Sequence, residues 1–156
     1  MSHLPKSILV PVTLDSTSRH SLQVAAEMAA AMQATLHVLY VWEAPYAPED
    51  VTAESSQRAD GDLFERMRAR CASELVAFIE SAGLNPASPS VKWTIHSGHP
   101  ATEILSHSRA QACDLILMGT HRKRGLEHWL LGSVAEEVLR HAPCSVLVVP
   151  GRSASE

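Results

Sequence analysis

Apolar positions along this chain fall into five short runs, separated by stretches in which they recur at helical spacing. Ile8-Leu9-Val10-Pro11-Val12 is nearly unbroken, the pattern of a strand covered on both faces in a parallel sheet. Asp15-Ser16-Thr17-Ser18 follows, rich in helix-capping side chains. Leu22, Ala25, Ala26, Ala29 and Met32 then recur at the spacing of a helix whose small alanines allow close approach to a sheet. Residues 35–41 form the second run. Residues 43–60, with Pro45, Pro48, Glu49 and Asp50 and no apolar period, read as a long surface connection.

The helical pattern returns from Asp62 through Leu63, Met67, Leu75, Phe78 and Ile79 and stops at Gly83, beyond which Asn85, Pro86 and Pro89 cannot continue it. Residues 91–96 are the third strand. A short helix over 100–110 has Pro100 near its first turn and Ile104 and Leu105 as apolar positions. Asp114-Leu115-Ile116-Leu117-Met118 is the fourth strand and ends at Gly119; a helix over 133–141 leads to the last strand, Ser145-Val146-Leu147-Val148-Val149.

Strands alternating with helices in this order predict an α/β fold: a single doubly wound five-stranded parallel sheet with helices on both faces, Rossmann-like in plan. One domain over 1–151 and a frayed polar tail over 152–156 account for the chain. Ligands in such sheets bind beyond the carboxyl ends of the strands, where the strand order reverses. The residues after Val12 and after Met118 therefore matter most.

Composition removes several alternatives. The 156 residues, 46% hydrophobic and 19% charged, suffice for a packed core without metal or disulfide staples. A net charge of −4 argues against a general nucleic-acid binder, which needs clustered Lys and Arg. Cys71, Cys113 and Cys144 contain no CxxC pair and read as reduced thiols, with Cys144 as core filler. The amino-terminal segment has no apolar stretch long enough for a signal peptide or membrane span, so a cytoplasmic protein is expected.

The stretch with the most chemistry runs from Gly119 through Thr120-His121-Arg122-Lys123-Arg124-Gly125 to Gly132-Ser133-Val134. Glycines let backbone amides approach an anion closely, and a helix beginning near Ser133 adds free N–H groups and a positive dipole end. The basic triad adds local charge, and the whole suits a di- or triphosphate. A plainer reading stands beside it: Gly119 as a strand-end turn, Ser133-Val134-Ala135-Glu136 as a capping box, and the triad as a solvated loop face. Neither GxxxxGK[ST] nor GxGxxG is present, which removes P-loop NTPases and Rossmann dehydrogenases.

ILVPV, LHVLYV, HSGHPATEIL and above all MGTHRKRGLEHWLLGSVAEEVLRHAPCSVLVVP resemble the universal stress proteins over nearly the whole chain. The resemblance implies the same fold, of the adenine nucleotide alpha hydrolase-like type, and a homodimer joined through the final strand, 145–149. An exposed apolar edge strand also calls for a partner.

One branch of that family binds ATP through a Gly-x2-Gly-x9-Gly-Ser/Thr pattern. Here Gly119 holds the first glycine, Arg122 the second glycine's place, Gly132 the third and Ser133 the hydroxyl. Thr13 stands where the family usually carries an Asp associated with the ribose hydroxyls. The resemblance places Pro11, Val12 and Val38 around the adenine, and Met118, Gly119, Arg122, Gly132, Ser133 and Val134 around the rest of the nucleotide. ATP, with AMP or ADP as alternatives and with or without magnesium, is the implied ligand; a nucleotide-free dimeric interaction module is the rival.

The remaining candidates are weaker. His96-Ser97-Gly98-His99 lacks further ligands, so no metal site is expected. Glu136 and Glu137 point about 100° apart on a helix and no GxSxG surrounds a serine, so no catalytic centre is expected.

Overall fold

A computed structural model describes residues 3–43, 53–120 and 131–151, with only the backbone described for 53–60. The elements run β1 (Ser7–Val12), α1 (Ser16–Met32), β2 (Thr35–Trp42), α2 (Ala53–Ser81), β3 (Val91–Ser97), α3 (Pro100–Ala110), β4 (Leu115–Thr120), α4 (Ser133–His141) and β5 (Ser145–Pro150). All strands are parallel, in the order β3-β2-β1-β4-β5. The reversal falls between β1 and β4, the strands that end at Val12 and just past Met118.

β1, β2 and β4 each feed two cores because successive side chains point to opposite faces. Ile8, Val10, Leu36, Val38, Leu115 and Leu117 meet α1 and α2 through Leu22, Ala25, Leu75 and Ile79. Leu9, Leu39, Ile116 and Met118 meet α3 and α4 through Ala101, Ile104, Ala135 and Val138. The unbroken apolar runs follow from this two-sided cover.

Three boundaries correct the sequence reading. α2 begins at Ala53, inside the stretch taken as a connection. That first part carries no apolar period, but helix-compatible residues such as Ala, Glu, Gln and Arg let a helix extend beyond its buried stripe. β4 runs through Gly119 to Thr120, held by pairing with β5 up to Thr120↔Pro150, so Gly119 is a strand residue and not a turn. Ser133 is the first residue of α4 and not its cap: the Gly132 carbonyl accepts the bond from the Glu136 amide at 3.0 Å, which makes Gly132 the N-cap. Residues 152–156 lie outside the described residues.

Candidate functional site

β1 and β4 separate at their carboxyl ends, where the order reverses, and a cleft of about 560 Å³ opens there. That is within the size range of small-molecule sites. Pro11, Val12 and Thr13 leave β1 along one wall, and Met118, Gly119 and Thr120 end β4 along another. Gly132, Ser133 and Val134 bring the start of α4 to the rim, while Leu39 and Val41 of β2 and Pro100 and Ile104 of α3 supply apolar surface.

The turn from β1 to α1 is tightly specified. Leu14 has φ 62°, a left-handed conformation that costs a branched residue about 1–2 kcal/mol. Strain of this kind tends to persist where a site needs it. Asp15 then caps α1: its Oδ1 accepts the Ser18 amide at 2.8 Å, while Ser18 Oγ accepts the Asp15 amide at 3.3 Å. The same pair fixes Thr13, whose amide donates to Ser18 Oγ at 3.2 Å and whose hydroxyl donates to Asp15 Oδ2 at 2.8 Å. With its proton committed to Asp15, the Thr13 oxygen is left as an acceptor.

The two motif glycines work differently. A Cβ at Gly119 would sit 3.2 Å from Ser21 Oγ and 3.3 Å from Ser21 Cβ, so this glycine is what admits α1 against β4. Gly132 has an ordinary φ of −65°, and a Cβ there would have no neighbour within 4 Å. Its backbone does not demand glycine. What Gly132 lacks is a side chain with which to cap the first turn of α4. The opening N–H groups of that helix, which have no intrahelical partner, therefore face the cleft rim with the positive end of the dipole behind them.

The rest of the described lining is uncharged. Hydroxyls of Thr13, Thr17, Ser18, Thr120 and Ser133 alternate with apolar side chains, and no described lining residue is ionisable. Thr120 Oγ1 is buried without a hydrogen-bond partner among the described residues. Burial raises the Cys113 and Cys144 thiols above their usual range, which disfavours the thiolate form. Among the described residues no cluster of three or more His, Cys, Asp or Glu could hold a metal ion, and no helix is long and apolar enough to cross a membrane.

Eight of the residues singled out in the sequence thus converge: Pro11, Val12, Thr13, Met118, Gly119, Gly132, Ser133 and Val134. Val38 does not. It is fully buried on the α1–α2 face, and its neighbour Leu39 and then Val41 present the cleft face of β2. A one-residue error of phase sends a strand side chain to the wrong core. Arg122 lies outside the described residues, as do Lys123, Arg124 and Gly125. Thr17, Pro100, Ile104 and Thr120 were missed; only the pairing of β1 with β2 and β4 reveals that they share a cleft.

A model of the Universal stress protein family matches residues 5–150. The chain belongs to the universal stress protein family. Universal stress protein MJ0531 of Methanocaldococcus jannaschii is 31% identical over 148 residues, covering 94% of this chain and 83% of that one. Among solved structures, universal stress protein UspA from Lactobacillus plantarum superposes with a TM-score of 0.68 at 24% identity, covering 92% of this chain and 97% of that one. A universal stress protein crystallised in complex with cAMP shares the fold with a TM-score of 0.58 at 19% identity, covering 94% and 97% of the two chains.

Proposed function

We propose that this universal stress protein binds ATP or another adenine nucleotide in the cleft between β1 and β4, and acts as a cytoplasmic regulatory protein in the stress response rather than as an enzyme. The observation that carries the reading is the start of α4, where the N-cap Gly132 brings no side chain and Gly132, Ser133 and Val134 line the cleft at the strand-order reversal. The residues fit the ligand. The amides of Ser133 and Val134 and the Ser133 hydroxyl would hold phosphate oxygens. The Thr13 oxygen, kept as an acceptor by Asp15, would take a ribose hydroxyl, and Val12, Leu39, Val41 and Met118 would flank the base. The guanidinium of Arg122, which stands in the second glycine's place in the sequence, would be a chemically suitable partner for phosphate. A described lining without an ionisable group supports binding over turnover. The cAMP complex of one fold relative makes cAMP a ligand to test beside ATP, ADP and AMP.

Calorimetry with each nucleotide, with and without magnesium, tests the reading. Gly132→Asp is the informative variant, because its carboxylate would cap α4 itself and repel phosphate. Affinity is expected to fall at least about tenfold, which is ~1.4 kcal/mol, while stability holds or rises by a few tenths of a kcal/mol. No heat at millimolar nucleotide ends the proposal and leaves the interaction module.

The same reading includes a homodimer through β5, an edge strand on which Leu147 is 37% exposed. Sedimentation is expected to show a dimer that Leu147→Asp splits into monomers.

A further inference from the structure

Behind the cleft, α3 covers a second group of side chains. His107, on the inner face of α3, is buried, and its Nε2 is sealed from solvent with no hydrogen-bond partner. Its ring lies edge-on between two others: His37 of β2 at 5.9 Å and His96 of β3 at 5.2 Å, centroid to centroid. His96 and Glu103, one helical turn before His107, are joined by a 2.9 Å contact between Nδ1 and Oε2. The other carboxylate oxygen of Glu103 lies against Gly98, where a Cβ would come within 2.9 Å of it. A cavity of about 310 Å³ adjoins the row, but a ligand there could not reach the sealed nitrogen.

α3 belongs to both places. Its first turns, through Pro100 and Ile104, wall the nucleotide cleft, and its later part lies on the imidazole row. We propose that the row His37–His107–His96 is a proton-sensitive latch on α3, which releases the helix as the medium acidifies and thereby weakens nucleotide binding in the cleft. The link to the cleft rests on the nucleotide reading above; the latch itself does not.

The physical basis is that, among the described residues, none is placed to receive a charge on His107. From β2 it faces His37, and from β3 it faces His96, with Lys92 acting on His37. Each of these is neutral or positive. Glu103, the carboxylate on this side of α3, is engaged with His96. On the α4 side, the Arg109 guanidinium donates to the His141 carbonyl at 3.2 Å and offers no negative charge. A buried cation without a partner is strongly disfavoured, and burial, then His96 and His37, push His107 down to about 4. Lifting α3 returns the ring to water and to an ordinary pKa near 6.5. Proton linkage then multiplies the open population roughly twentyfold between pH 7 and pH 5.

Hydrogen exchange of the full chain reads this directly. After correction for intrinsic rates, amides of α3 are expected to exchange about twentyfold faster at pH 5 than at pH 7. In His107→Phe, which fills the space and cannot titrate, the acceleration should fall to the smaller part that His37 supplies; His107→Gln serves as a second non-titrating replacement if the first does not fold. Equal acceleration in wild type and variant overturns the latch.

The coupling is read from nucleotide affinity, wild type against variant at each pH, which cancels titration of the ligand itself. The ratio should move against the wild type as pH falls. A constant ratio alongside pH-sensitive exchange overturns the link to the cleft. If neither protein binds nucleotide at any pH, the functional reading fails, and exchange alone still decides the latch.

Discussion

Gln33 closes α1 in a left-handed conformation, with φ 53°, and its side chain is exposed. A residue with a Cβ pays for that geometry where glycine does not. Gln33→Gly is therefore expected to stabilise the fold by up to about 1 kcal/mol, seen as a higher urea midpoint at unchanged slope. Gly119 shows the opposite case. Its φ is ordinary, yet Ser21 of α1 occupies the space a side chain would need. Gly119→Val should lower stability by about 1–3 kcal/mol through overpacking. A null effect on the urea midpoint would mean that α1 is not held as closely to β4 as the contact implies.

At the scale of elements, the order and kind of every strand and helix were legible, because two-sided burial writes continuous apolar runs for strands and 3.6-residue spacing for helices. What was not legible was phase and extent. The inner strands bury both faces, so β2 reads the same whether Val38 or Leu39 points to the cleft; the pairing Val38↔Val10 and the cover by α2 decide it. The start of α2 carried no apolar signal, and the end of β4 is set by its partner β5 rather than by its own residues. Of the site, the two chain segments flanking the strand reversal were readable from the motif, whereas the contributions of α3 required the fold. These placements separate two substitutions. Val38→Ala should cost roughly 1–2.5 kcal/mol of stability and leave nucleotide affinity unchanged. Val41→Ala, on the cleft face, should change affinity at a smaller cost to stability. Parallel urea titration and calorimetry distinguish them, and a shared loss of affinity would contradict the assignment of faces.

For the whole molecule, the buried histidines set the direction of the pH dependence. His37 and His107 both have pKa values lowered by burial, His107 to about 4. The unfolded chain therefore binds protons that the folded chain refuses. Stability is fully present above pH 6.5, falls as pH drops through 6.5, and the share due to His107 stops falling below about pH 4. That share approaches about 3 kcal/mol. Urea unfolding at pH 7.5 and 4.5 should show the loss, and His107→Phe should recover the part that carboxylate titration does not explain. An identical acid loss in the variant would show that His107 is solvated in the folded state.

Gly151 is pinned as β5 ends: its amide donates to the Thr120 carbonyl at 3.0 Å, and a Cβ there would strike that oxygen at 2.9 Å and Thr17 at 3.0 Å. Thr17 and Thr120 are both cleft residues, so the polypeptide departs from β5 beside the binding mouth, whereas it enters β1 at the far end of the sheet. A bulky label attached at residue 151 would therefore crowd the entrance. One attached at His3, ahead of β1, would leave it clear.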